Sequence, residues 1–198
     1  MFANRFTAFM DACCLAGALK RNLLCTLAEA EFFRIRWSAD VLDEMERAIV
    51  GILTCKENVA DPAGRAAKAR GAMERAFEDA MVTDYEALLA VCAGNLPDPG
   101  DAHVVAAALK TQAALIVTDN LKHFPPMLMA SLNMEARSAD VFIADTIALD
   151  PGRAVAAIRL MRQRFGKPSL HAEELLLKME ASGLTASVDI LRSHVASL

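Results

Sequence analysis

Five carboxylates sit where apolar runs end or helices begin. Asp11 directly follows the apolar stretch Arg5-Phe-Thr-Ala-Phe-Met10. Glu44 falls in the first turns of a helical pattern opened by Ser38. Asp98 and Asp101 bracket Pro99-Gly100, and Asp119 with Asn120 follows the apolar run Ala113-Ala-Leu-Ile-Val117. Carboxylates and carbonyls are the donors that hard divalent cations such as Mg²⁺ and Mn²⁺ take. Several acids brought to one point repel one another, and a bound cation relieves that repulsion while stabilising charge on a phosphoryl group. Each acid also has a plainer role. An Asp at a helix start is commonly a cap. Glu44 fits a solvated helix face equally well, with Asp43 or Glu46 as the inward acid instead.

The elements that would position these acids follow from periodicity. Arg5 to Met10 reads as a first strand, Leu19 to Ala30 as a helix, and Phe32 to Trp37 as a β-prone run before Ser38 as an N-cap. Val41, Leu42, Met45, Ile49 and Ile52 share one helical face. Asp61-Pro62 is a break, and Arg65 to Met81 reads as one alanine- and charge-rich helix. Pro97, Pro99 and Gly100 fix a turn, after which a small-residue helix starts near His103. Ala113 to Val117 suits a buried parallel strand, and a last strand or turn is expected to end at Val141-Phe142-Ile143. After Asp150-Pro151-Gly152 only helical patterns remain, at 154–164, 171–181 and 187–195. Two units are therefore expected, residues 1–147 with alternating strands and helices and residues 148–198 with helices alone.

With 198 residues, 55% hydrophobic, the chain can bury one sizeable core. No apolar run approaches a membrane span, no secretory signal stands at the N-terminus, and a cytoplasmic location is expected. Five cysteines without metal-ligand or redox spacing read as reduced, mostly buried apolar residues. A net charge of −4 argues against a dedicated basic coat for nucleic acid but not against a nucleic-acid enzyme whose metal ions meet the phosphate. A Cys-His hydrolase is disfavoured because nothing pairs Cys13 or Cys14 with a histidine. A phosphatase of the haloacid-dehalogenase kind would want a second Asp where Cys13 stands.

In order along the chain, Asp11-Ala-Cys, Ser38…Val41-Leu42-Asp43-Glu44, Leu96-Pro-Asp-Pro-Gly-Asp101-Ala-His-Val-Val and Ile116-Val-Thr-Asp-Asn-Leu-Lys-His-Phe-Pro125 resemble the motifs of PIN domains, in the VapC-like toxin branch. The resemblance covers roughly residues 6 to 143, and the helical tail resembles the extra C-terminal domain of some longer members. It implies an α/β fold, a three-layer α/β/α with a mainly parallel sheet, followed by a small helical domain. It implies Mg²⁺- or Mn²⁺-dependent endoribonuclease activity on single-stranded, loop or structured RNA such as tRNA. By position, Asp11, Glu44 and Asp101 match the family's acids, and Asp98 matches a further acid common in this branch. The fourth site departs from the pattern: a Thr-x-Asp would put the acid at Asn120, so either Asp119 supplies the charge or Asn120 ligates through its carbonyl. Arg21 and Lys122 are rim candidates for flanking phosphates, and Thr118 is a candidate hydroxyl behind the acids. His103 reads mainly as a packing histidine and His123 as closing a turn. The resemblance also implies a small antitoxin partner and a homodimer. The rival reading is a catalytically inactive PIN-like module that binds protein or RNA.

Overall fold

The computed structural model describes residues 6–56, 59–94, 96–165 and 170–198. Five parallel strands, β1 (Thr7–Met10), β2 (Arg34–Ser38), β3 (Met81–Val82), β4 (Leu115–Val117) and β5 (Glu135–Arg137), form one sheet in the order β3-β2-β1-β4-β5. Ala8, Phe9 and Met10 are fully buried, as a central strand covered on both faces requires. Helices lie on the sheet to complete a three-layer α/β/α fold. Among them α2 (Ala18–Glu29) and α3 (Ala39–Thr54) pack against β2, and α6 (Ala102–Lys110) lies across β1, β2 and β4.

Local signals explain most boundaries. Ser38 caps α3, its hydroxyl accepting from the Val41 N–H at 3.3 Å. Asp61 caps α4 (Pro62–Ala76) by accepting from Gly64 N–H at 2.9 Å, with proline at the first helical position. The short α1 (Ala12–Ala16) follows Asp11 directly, α5 (Glu86–Ala93) precedes the acidic turn, and α7 (Pro126–Ser131) precedes β5. Residues Val104 to Ala108 of α6 are all buried, their small side chains letting the helix close on the sheet.

Two expected elements differ. The helix expected over 65–81 ends at Ala76; Phe77 leaves helical backbone, stacks edge-on against Trp37 at 5.7 Å, and the chain enters β3 beside β2. Tertiary pairing here outweighs helix propensity. The strand expected to end at Ile143 is β5, which ends six residues earlier at Arg137, and Val141-Phe142-Ile143 lie in α8 (Ala139–Leu149), capped by Ser138. Phe142 packs edge-on against Phe6 and Phe33, which explains an apolar run that periodicity alone does not assign.

The tail is α9 (Pro151–Arg164), α10 (Ala172–Ala181) and α11 (Thr185–Arg192). α9 packs on α2 and α8, with Arg153 over the Phe32 ring at 4.1 Å. α11 packs on α8 and is capped from it: Asp140 accepts from the N–H groups of Ala186 and Ser187, both at 2.9 Å. The sequence break at Gly166-Lys-Pro168 lies outside the described residues. No helix among them is long and apolar enough to cross a membrane.

Candidate functional site

Strand order reverses between β1 and β4, the point at which open parallel sheets open a crevice at their carboxyl ends. Met10 pairs with Val117, so the next residues on the two strands, Asp11 and Thr118, stand side by side. The Thr118 hydroxyl donates to Asp11 Oδ2 at 2.6 Å, and its oxygen accepts from the Asn120 N–H at 3.0 Å. Thr118 is fully buried and Asp11 is 7% exposed, so this carboxylate is aimed and largely dry. The cysteines, expected to be mostly buried, divide: Cys14 and Cys92 are buried, Cys25 is half-buried, and Cys13 and Cys55 are exposed, with Cys13 Sγ 3.1 Å from Asp11 Oδ2. The Cys14 thiol, 3.9 Å from the Cys13 thiol, lowers the Cys13 pKa, against the partial desolvation of its sulfur and the Asp11 charge, which raise it.

The second pair of acids arrives on the turn before α6. Asp98 accepts from Gly100 N–H at 2.8 Å and starts a 3-10 turn (Pro99–Asp101) that runs into the helix. A Cβ at Gly100 would lie 3.0 Å from Asp98 Oδ1 and would crowd the carboxylate that closes the turn. Burial raises the Asp101 pKa, helped by the charges of Asp11 and Asp98, while a hydrogen bond to His123 pulls the other way.

A 3-10 turn after β4 (Leu121–His123) brings Asn120 and His123 face to face. His123 Nδ1 lies 2.7 Å from Asp101 Oδ2, 3.8 Å from Asp98 Oδ2 and 2.7 Å from Asn120 Nδ2. Asp98, Asp101 and His123 offer three donor atoms all within 4.8 Å of one another. His123, expected only to close a turn, therefore belongs to the acid cluster. The available signal was its place three residues after Asn120, which a 3-10 turn eclipses.

The acids of α3 separate. Asp43 and Glu46 both pair with Arg70 on α4, Glu46 at 2.8 Å. Glu44 turns to α6, where His103 Nε2 lies 3.2 Å from its Oε1. Burial lowers the His103 pKa, but the hydrogen bond and charge of Glu44 outweigh it and the net shift is upward. Asp119 has other partners: Lys20 at 2.5 Å on one oxygen and the Ala139 N–H at 3.1 Å on the other. It therefore ties α2, β4 and α8 together, while Asn120 is the residue that faces the cluster. Arg21, a candidate phosphate contact, donates instead to the carbonyls of Leu15 and Ala16 at 2.6 and 3.2 Å. Lys122 remains exposed beside His123.

Comparison with known proteins agrees with this architecture. A family model described as PIN domain matches residues 7–122, more than half of the chain, and one described as VapC50 C-terminal domain matches residues 139–193. Among curated proteins, "Putative ribonuclease VapC50" of Mycobacterium tuberculosis (strain ATCC 25618 / H37Rv) is 36% identical over 76 residues. That alignment takes in 38% of this chain and 45% of the relative, so it spans less than half of the relative's length. No solved structure matches. The parallel sheet, the acids at its switch point and the match over 7–122 together make this chain a member of the PIN-domain family, of the VapC-like kind.

Proposed function

We propose that the chain is a divalent-metal-dependent endoribonuclease and the toxin of a toxin-antitoxin pair, acting in the cytoplasm. The observation that carries this reading is the convergence of Asp98, Asp101 and His123 within 4.8 Å, beside a buried Asp11 held by Thr118. The donor set fits a divalent cation: hard oxygens dominate, and Asp101 is desolvated and crowded by like charge, a cost that a cation removes. Asp11, Asp98 and Asp101 would hold it, with Glu44 adjacent through His103. The engagement of Asp119 by Lys20 and α8 favours Asn120 for the fourth position. A cation bound there supplies Lewis acidity to the phosphodiester and lowers the pKa of an attacking water.

The chain's own groups do the rest. Thr118 fixes the Asp11 carboxylate, His103 orients Glu44, and exposed Lys122 offers an ammonium to a neighbouring phosphate at the rim. Single-stranded or loop RNA, including the loops of tRNA, suits an open carboxyl-end crevice because its backbone is accessible. In this reading residues 1–147 form the nuclease and residues 148–198 the added helical unit. The relative's name, a putative ribonuclease, points the same way. An antitoxin would set an Arg or Lys among the acids by charge-assisted bonds, and the toxin would pair as a homodimer.

The test is cleavage of labelled total RNA and of a tRNA transcript with Mg²⁺, with Mn²⁺ and with EDTA, beside the Asp11→Asn/Asp101→Asn double variant. Discrete products that need metal and vanish in the variant are expected. Folded, antitoxin-free protein that cuts nothing under any of these conditions would instead favour the inactive binding module.

A further inference from the structure

Two carboxylates on a turn are commonly a solvated acidic corner. An imidazole nitrogen aimed into this one sets it apart. His123 Nδ1 stands 2.7 Å from Asp101 Oδ2 and 3.8 Å from Asp98 Oδ2, and also 2.7 Å from the Asn120 amide nitrogen. A ring nitrogen of a neutral imidazole carries either a proton or a lone pair. With the lone pair, Nδ1 accepts from Asn120 but turns that lone pair's electrons on the Asp101 carboxylate. With the proton, it serves Asp101 and satisfies Asn120 only if the amide presents its oxygen, the very atom a cation would take. A cation at the meeting point lets the lone pair and the carboxylate oxygens address one positive centre, with the Asn120 amide turned to present its oxygen. The 2.7 and 3.8 Å separations bracket the roughly 3 Å expected between adjacent ligands of a cation with bonds of about 2.1 Å.

We propose that His123 is a metal ligand through Nδ1, beside Asp98 and Asp101, and that it makes the site prefer a transition-metal cation of the Mn²⁺-to-Zn²⁺ series over Mg²⁺. The inference rests on the metal-dependent reading above and adds the class of metal. Mg²⁺ takes oxygen donors and sheds its water reluctantly, so an imidazole contributes little to holding it. Manganese and the later ions accept mixed nitrogen and oxygen sets, with affinity rising along the series. The fold builds the ligand in deliberately. The 3-10 turn Leu121–His123 is closed by the His123 N–H to the Asn120 carbonyl at 3.0 Å, and Phe124 behind it is 1% exposed, which pins the ring at the crevice. The other histidine nearby, His103, has Nε2 on Glu44, while its buried Nδ1 has no partner among the described residues. It is therefore the control.

The experiment binds one equivalent of Mn²⁺ to the full chain labelled with ¹⁵N-histidine and reads nitrogen hyperfine coupling by electron spin-echo spectroscopy. Calorimetric titrations of Mn²⁺ and Mg²⁺ accompany it, on the wild type, His123→Gln, His123→Asp and His103→Gln. Histidine coupling is expected in the wild type and in His103→Gln and absent from both His123 variants. Mn²⁺ affinity is expected to fall on the order of 10- to 100-fold in His123→Gln, with Mg²⁺ affinity barely moved. His123→Asp, an all-oxygen site, is expected to narrow the gap between the two metals. Mn²⁺ bound by the wild type without histidine coupling, or coupling lost only in His103→Gln, would overturn the assignment. The wild-type spectrum decides even if a variant fails to fold. RNA cleavage with bound but uncoupled Mn²⁺ sinks this inference alone. Coupling without cleavage sinks the nuclease and leaves the metal site standing. A wild type that takes up no divalent cation sinks both.

Discussion

Thr118 shows how much of the site rests on a single uncharged atom. Its hydroxyl is fully buried and donates to Asp11 Oδ2 at 2.6 Å, which fixes the orientation of that carboxylate. Thr118→Val keeps shape and removes the donor. Partners behind metal-binding carboxylates contribute roughly 10- to 100-fold, and a loss of that size in RNA cleavage and metal affinity is expected, measurable by single-turnover kinetics and calorimetry. Asp101 offers a different test. Its pKa is raised above the ordinary 3.8 by burial and by Asp11 and Asp98. Its charge therefore costs the folded state nothing below the unfolded value and the full amount above the raised one, so stability declines across that window. Asp101→Asn removes the cost: the metal-free variant should melt higher than the wild type at neutral pH while losing cleavage. A variant that melts lower would show that the His123 contact outweighs the crowding. As pH falls, metal affinity should drop at a higher pH than an ordinary aspartate would set.

At the level of elements, the notable joint is α8 with α11. Leu184 at the start of α11 has no side-chain oxygen to cap it, and Asp140 supplies one from α8. Burial raises the Asp140 pKa, but bonds from Ser187, Ala186 and Thr185 lower it further, and the net shift is downward. The stability it contributes is present above the unfolded value and lost as pH falls through the lower folded one. Asp140→Ala should cost about 1–2 kcal/mol at neutral pH, in the range of a lost helix cap, and the difference from wild type should shrink towards acid in urea titrations. α3 and α4 carry a related device. Arg70 gathers Asp43, Glu46 and Glu74, which leaves Glu44 as the acid of that stretch turned towards α6.

For the whole molecule, acids gather where the sheet reverses, so a cation bound there as proposed would be linked to folding. A ligand that binds only the folded form stabilises it by about 2.7 kcal/mol at a hundred times its Kd. Titrating Mn²⁺ should raise the melting temperature steadily, EDTA should reverse the shift, and Asp11→Asn/Asp101→Asn should show none. An equal shift in the double variant would place the cation elsewhere.

Much of this was legible along the chain because the signals are local. Apolar 113–117, the Pro-Gly turn before α6, the Ser38 cap and the order of the acids depend on neighbours within a few residues, and they set the fold class and the candidate residues. Three matters depended on distant partners. β3 forms by pairing with Trp37 and Ser38, although residues 77–81 continue a helical pattern. Asp119 and Asn120 differ only in what Lys20, Ala139 and His123 bring to them. His123 reaches Asp101 across a separation of 22 residues, through a docking of α6 on β4 that periodicity does not specify. Sequence by itself determined which groups are present and which element carries each. Only the tertiary structure decided which of them meet, because strand register and helix docking are set by packing between segments far apart in the chain.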